Sequence, residues 1–175
     1  IQFLLGNDFH LTPHNLTKWQ LSPEIAAKCR RCGKHGTFTP LPGVTVETFP
    51  STDEGVAWMV TVNGQSIFHA GDLNWWHWAE EDLAWNRNME ANFKRYTEPL
   101  RGRRVDLAML PLDSRLKMDG YLGPNYFLNL MEVRRFLPMH QWEDFAFTDE
   151  FLSAYPQFAP ITVKIHRDGE FLGEL

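Results

Sequence analysis

The sequence has 175 residues, of which 43% are hydrophobic and 14% aromatic, and it carries a formal net charge of −5. This length and composition suit one globular domain with a sizeable core and exclude extended disorder. The acidic balance argues against binding along a nucleic-acid backbone, and no apolar segment approaches the ~20 residues of a membrane span. We therefore predict a single domain over residues 1–175 in a cytoplasmic protein, with neither a membrane nor a nucleic acid as partner.

The first part of the chain is predicted to contain a strand, a short helix and two hairpins. Residues 1–6 are apolar and predict a strand, and Ser-Pro-Glu at residues 22–24 predicts a helix that ends before Gly33. Pro-Gly at residues 42–43 and Asn-Gly at residues 63–64 are turn signals between β-rich segments. They predict hairpins that join residues 36–41 to 44–49 and residues 55–62 to 65–69.

The two cysteines, Cys29 and Cys32, lie near the end of the predicted helix. We interpret them as ordinary thiols. A redox pair is one alternative, and a metal knuckle completed by His35 is another, although a structural zinc site normally has four ligands.

Asp72 follows the second hairpin directly, after Gly71, which allows the backbone to turn sharply. A carboxylate at the end of a strand and beside the imidazoles of His69 and His77 suits metal ligation or proton transfer. The simpler alternative is an aspartate that caps the following turn.

The rest of the chain is predicted to alternate between helices and strands. Apolar residues at helical spacings predict a helix over residues 79–100, and an almost continuous apolar segment predicts a buried strand over residues 105–110. The remaining predicted elements are a helix over 124–131, a strand over 134–139, a helix capped by Thr148 that ends near residue 155, and a closing hairpin of residues 161–166 and 170–172.

Three predicted strands end in polar side chains. These are Asp72, then Asp113 with Arg115, and finally His140. The economical explanation is that the three strand ends meet at one edge of a sheet. Aspartate oxygen and histidine nitrogen together suit a divalent metal ion, which lowers the pKa of its bound water to ~7.

The order of these segments resembles a known family. Ser-Thr-Asp-Glu-Gly at residues 51–55, Phe-His-Ala-Gly-Asp at 68–72, Pro-Leu-Asp at 111–113 and Phe-Leu-Pro-Met-His at 136–140 are similar to the C-terminal two-thirds of metallo-β-lactamase-fold hydrolases. The resemblance is greatest to the small bacterial, often uncharacterised, metal-dependent branch. It implies an α/β fold, an αββα sandwich, in which Asp72 bridges two metal ions and His140 is the last histidine ligand.

The resemblance also implies a function. A divalent metal, zinc in the first place and otherwise manganese or iron, would hold the hydroxide that attacks an ester, lactone, amide or phosphodiester of a small-molecule substrate. The family's His-x-His-x-Asp-His motif does not occur in these residues. We therefore expect an N-terminally incomplete fold, inactive or nearly so by itself and able to form homo-oligomers. The alternative is a non-catalytic domain of the same fold that binds a ligand or a partner.

The remaining candidate residues keep two interpretations each. Asp53 replaces a histidine that the family normally has, and it is either a metal ligand or an aspartate that stabilises its loop. Arg115 with Asp113 binds an anionic group of the substrate, or Arg115 pairs with Asp113 or Asp119. Trp75 and Trp76 line a substrate pocket or belong to the core. Because side chains alternate along a strand, His69 is assigned a supporting or core role and not that of a ligand.

Overall fold

A six-stranded sheet whose strands lie in sequence order organises the chain. The computed structural model describes residues 3–5 and 22–173. The first four strands form an antiparallel meander, and the last three are parallel to one another. The strands are β3 (Thr37–Leu41), β4 (Val44–Pro50), β5 (Val56–Val62), β6 (Gln65–His69), β7 (Arg104–Pro111) and β8 (Glu132–Met139). Strand β6 is shared by the two parts of the sheet.

Both predicted hairpins are confirmed. Gly43, Asn63 and Gly64 have positive φ angles of 76°, 50° and 85°, which is the conformation that tight hairpin turns require. The turns set the register of each hairpin, so Leu41 pairs with Val44 and Val62 pairs with Gln65.

Helices make the two parallel crossovers. Helix α2 (Leu83–Thr97) and a 3₁₀ turn (Glu98–Leu100) join β6 to β7, and a 3₁₀ segment (Ser114–Tyr121) and helix α3 (Leu122–Leu130) join β7 to β8. Helix α2 begins four residues later than predicted, since Asp82 caps it by accepting a hydrogen bond from the Trp85 amide at 2.7 Å.

The core lies between these helices and one face of the sheet. Phe68 and Ala108 pair across neighbouring strands of that face and are fully buried. The Phe127 ring from α3 lies 4.8 Å from the Phe68 ring, and Phe151 from helix α4 (Phe147–Ala154) packs on Phe136 in β8. The aromatic residues therefore hold the crossovers on this face.

The opposite face of the sheet is less covered. Val60, Ile67 and Leu107 lie side by side on it, and Ile67 is 42% exposed. The described part of the chain thus leaves an apolar strip partly open to solvent.

The N-terminal prediction needs a correction. Helix α1 (Pro23–Ala26) is only one turn long, and Cys29 lies in strand β2 (Cys29–Arg31), which pairs in parallel with β1 (Phe3–Leu5). Pairing with a distant strand overrides the local helical signal here. Both cysteines are free thiols, and Cys32 is buried. The rest of the predicted strand, at residues 1, 2 and 6, lies outside the described residues.

The C-terminal prediction is also partly wrong. Thr148 does not cap α4; it is buried, and its hydroxyl oxygen accepts a hydrogen bond from Gln141 Nε2 at 2.6 Å. The predicted closing hairpin is replaced by an isolated parallel bridge between Phe136 and Thr162, because residues 161–163 bond to the edge of β8 instead.

Among the described residues, none of the helices has the length and apolarity needed to cross a membrane.

Candidate metal centre

The ends of the three parallel strands bring the predicted polar residues together. His69 pairs with Met109, and Pro111 pairs with Met139, so β6, β7 and β8 finish at the same edge. Ligand sites of α/β sheets lie at this carboxyl edge. Asp72, Asp113 and His140 each follow one of these strands.

Asp72 and His140 face each other directly. The distance from Asp72 Oδ1 to His140 Nε2 is 3.5 Å, and both side chains are only partly exposed. The backbone of Asp72 is fixed, because its carbonyl oxygen accepts hydrogen bonds from the Trp76 indole at 2.9 Å and from the Thr52 hydroxyl at 3.3 Å. The two side chains meet although they come from β6 and β8, with β7 between them.

His69 lies closer to this pair than strand alternation predicts. Gly71 has a φ of 56°, so the chain turns between His69 and Asp72. The amide of Gly71 donates a hydrogen bond to His69 Nδ1 at 3.0 Å. Burial, together with the nearby His140, lowers the pKa of His69 and keeps its imidazole neutral. His69 therefore has a supporting position beside the pair.

Asp53 contributes to the electrostatics of the same site. Burial raises the pKa of the Asp72 carboxyl; His140 opposes this change, and the negative charge of Asp53 adds to it. The Asp53 backbone amide donates to the Ser51 hydroxyl at 3.3 Å, which ties residues 51 and 53 together.

The Asp72–His140 distance fits two ligands of one ion. Because zinc binds nitrogen and oxygen at about 2.0–2.2 Å in tetrahedral geometry, two ligand atoms lie about 3.4 Å apart. The described residues offer no group of three histidine, cysteine, aspartate or glutamate side chains arranged around one ion. Asp72 and His140 thus match a pair of ligands, and neither Asp53 nor His69 completes a third position.

Asp113 and Arg115 bind each other. The Asp113 side chain is completely buried and accepts from Arg115 Nε at 2.9 Å and from Arg115 Nη2 at 2.6 Å. Trp142 Nε1 also donates to Asp113 Oδ2, at 3.1 Å. Burial acts to raise the pKa of Asp113, but these hydrogen bonds outweigh it and hold the pKa below its usual value. Of the partners considered for Arg115, the structure supplies Asp113.

The tryptophans of the Asp72 loop point in different directions. Trp76 is buried, stacks on Trp78 with the ring centroids 6.3 Å apart, and lies 6.0 Å from the His140 ring. Trp75 packs instead on Phe93 and Tyr126, on the helical side of the loop. The structure therefore brings Trp76 to the centre and does not bring Trp75 there.

Two residues that sequence reasoning missed belong to the site. Thr52 ties the 51–53 loop to the Asp72 loop, since its hydroxyl also donates to the Asn74 carbonyl at 2.7 Å. Trp142 connects the His140 loop to Asp113. The available signal for Trp142 was its position two residues after the predicted ligand His140.

Comparison with known proteins identifies the fold. Neither a protein-family model nor a curated protein matches the sequence significantly. Among solved structures, a protein from Parabacteroides distasonis that is assigned as a metal-dependent hydrolase matches with a TM-score of 0.59 and 14% identity, over 93% of this chain and 74% of that protein. CmlA from Streptomyces venezuelae, a diiron β-hydroxylase, matches with a TM-score of 0.58 and 9% identity, over 94% of this chain and 38% of CmlA.

A third match is more distant. A protein from Thermotoga maritima assigned as a zinc-dependent hydrolase of the metallo-β-lactamase superfamily has a TM-score of 0.43 and 16% identity, over 73% of this chain and 60% of that protein. With its six-stranded mixed sheet, the chain has the α/β fold of the Parabacteroides distasonis protein and of CmlA.

Proposed function

We propose that this fold serves a metal-dependent hydrolase in which Asp72 and His140 are two ligands of a divalent metal ion. The observation that carries the proposal is the 3.5 Å separation of Asp72 Oδ1 and His140 Nε2 at the carboxyl edge of the parallel strands. The fold supports it, since a structural neighbour with 14% identity is assigned as a metal-dependent hydrolase.

The surrounding residues would position and orient Asp72 and His140. Hydrogen bonds from Trp76 and Thr52 to the Asp72 carbonyl fix the backbone from which the carboxylate projects. His69 accepts a hydrogen bond at Nδ1, so its ring proton lies on Nε2 and is available as a donor. A carboxylate and an imidazole suit zinc, and they also suit manganese or iron.

A bound divalent ion supplies two kinds of chemistry. When held by Asp72 and His140, it would activate water near neutral pH and would stabilise the negative charge that develops as an ester, lactone, amide or phosphodiester is cleaved. Two protein ligands hold such an ion weakly, so we expect the 175-residue chain by itself to have little or no activity.

A second function is favoured by the ligand count. Because no three suitable side chains surround one ion in the described part of the chain, a non-catalytic domain that binds a small ligand or a partner is the alternative. The two functions differ in whether an ion binds at Asp72 and His140.

Metal titration tests the proposal. Zn²⁺ or Mn²⁺ is titrated calorimetrically into the chain and into the variants Asp72→Asn and His140→Gln. We expect binding near one equivalent, weakened about tenfold or more in each variant, because loss of a ligand costs at least as much as loss of a residue that supports one. Matched controls are Asp149→Asn and His166→Gln, which change an exposed carboxylate and an exposed imidazole elsewhere. Equal binding by all five proteins, or no binding by the unaltered chain, rejects the hydrolase in favour of the alternative.

A further inference from the structure

Trp142 combines two features that are unfavourable for a tryptophan. Its side chain is 62% exposed, and its backbone has a φ of 51°. His140 and Glu143 in the same loop also have positive φ angles, 59° and 65°. Bulky residues rarely adopt this conformation, and such strain is concentrated at active sites and ligand clamps. The strain therefore marks the exposed indole as a candidate functional group.

The contacts of Trp142 fix its ring in one orientation. Its indole nitrogen donates to Asp113, and the Arg115 guanidinium lies 4.4 Å from its ring centroid. The backbone beside it is held by the buried hydrogen bond from Gln141 to Thr148. The indole is thus rigid while most of its surface is exposed, so a ligand that stacks on it needs little further ordering.

A cleft opens beside this ring. It has a volume of about 640 Å³, which is in the range of small-molecule sites. The end of β8 and the loop after it form one wall, which includes His140 and Trp142. Residues of the C-terminal segment form the other wall, which includes Ile165 and Leu172. A molecule in this cleft has access to both the exposed indole and the His140 side of the centre.

Charge decides which ligand suits the indole. Arg115 directs two nitrogens at the buried Asp113, so the guanidinium that supports the ring is already neutralised. An isolated arginine here would favour a phosphate or a carboxylate. The other charged residues that line the cleft are three acidic side chains and one basic side chain, Glu143, Asp168, Glu170 and Arg167, so they do not favour an anion either. The flat aromatic surface of the indole is therefore the main feature for recognition.

We infer that Trp142 is a stacking platform for a planar aromatic group of the ligand, next to the Asp72–His140 pair. If the proposed function holds, this group belongs to the substrate and Trp142 selects aromatic substrates. The stacking itself requires no metal ion, so it is testable independently of the hydrolase.

The experiment compares two alcohols of the same ring skeleton. 2-Naphthol is planar and aromatic, whereas decahydro-2-naphthol is saturated and lacks the flat face. Each is titrated into the EDTA-treated chain while the indole N–H signals are followed by NMR, and Trp142→Phe identifies the signal of Trp142 by its disappearance. We expect 2-naphthol to shift that signal and to bind about tenfold more tightly than the saturated alcohol, since stacking on an aromatic side chain is worth about that factor.

Variants locate the binding. Trp142→Ala should raise the dissociation constant of 2-naphthol about tenfold, whereas Trp142→Phe retains a ring and should bind with only a few-fold loss. Leu83→Ala removes another exposed apolar side chain, on α2, and should leave binding unchanged.

Several results overturn the inference. If the unaltered chain binds the two alcohols equally well, the inference is wrong, and this result is available even if Trp142→Ala fails to fold. If a folded Trp142→Ala variant binds 2-naphthol as tightly as the unaltered chain, the inference is also wrong. Displacement of 2-naphthol by inorganic phosphate would indicate an anion site and would overturn the inference too. Absence of metal binding, by contrast, rejects the proposed hydrolase and leaves the stacking platform in place.

Discussion

The left-handed backbone conformation of Gly71 positions Asp72 beside His140. The φ of this glycine is 56°, and a Cβ atom there would lie 3.2 Å from the Val56 carbonyl oxygen. We expect Gly71→Ala to lower the free energy of unfolding by about 1–3 kcal/mol, because the left-handed conformation and the close carbonyl both oppose a side chain. Urea unfolding measures this loss.

Gly102→Ala is the matched control for Gly71→Ala. Gly102 also has a positive φ, 68°, but a Cβ atom at this position would have no neighbouring atom within 4 Å. This variant should show only the cost of the left-handed conformation, about 1 kcal/mol. Equal losses in the two variants would contradict crowding at Gly71.

Asp113 makes the stability depend on pH. Because its folded pKa lies below the unfolded value, its ionised form stabilises the protein above about pH 4, and this contribution is lost as the pH falls through the folded pKa. We expect Asp113→Asn to cost about 1–3 kcal/mol at pH 7 and progressively less below pH 4. The free energy of unfolding across this range is the measurement, and a pH-independent loss would contradict the assignment.

The sequence contained part of this residue-level information. Asp72 and His140 were predicted to meet because each follows an apolar strand, and strand ends of a parallel sheet share one edge. His69 was predicted to have a supporting or core role, and the turn at Gly71 places it beside the pair in a supporting position. Trp142 was missed because its orientation depends on left-handed backbone conformations that no local pattern signals.

At the scale of elements, helix α3 packs unusually closely on the Asp72 loop. A Cβ atom on Gly123 would lie 1.8 Å from Asn74 Oδ1 and 3.2 Å from the Trp75 amide nitrogen. In a helix, alanine is more favourable than glycine by about 1 kcal/mol, but the steric overlap with Asn74 costs more than this gain. We expect Gly123→Ala to destabilise the protein by about 1–3 kcal/mol in urea unfolding.

A second variant separates packing from helix propensity. In Gly123→Ala with Asn74→Ala, the carboxamide that would overlap is absent, so the loss caused by Gly123→Ala should shrink in this background. If the loss stays the same in both backgrounds, the Asn74 contact is not its cause.

Elements with strong local signals were predicted well, and elements defined by distant pairing were not. The two hairpins follow from their turn residues, and β7 follows from its apolar segment. Strand β2 was predicted as helix because only its pairing with β1 makes it a strand. The segment at residues 161–163 bonds to β8 for the same kind of reason.

At the scale of the whole molecule, the open face of the sheet predicts self-association. Val60, Ile67 and Leu107 form a partly exposed apolar strip, and such strips favour contact with a second copy. We expect sedimentation velocity to show oligomers that Ile67→Lys reduces. Leu83→Lys, which changes an exposed leucine on α2, is the control and should leave the oligomers in place.

The parallel arrangement of β6, β7 and β8 also has a kinetic consequence. Asp72 follows β6 and His140 follows β8, and β7 lies between these strands, so both crossovers must close before the two side chains meet. Hairpins form within microseconds, whereas parallel pairing across long connections is slow. An early intermediate that holds only the antiparallel meander therefore has no ion-binding pair. Under the proposed function, capture of the ion would mark the completion of folding and would stabilise only the finished sheet.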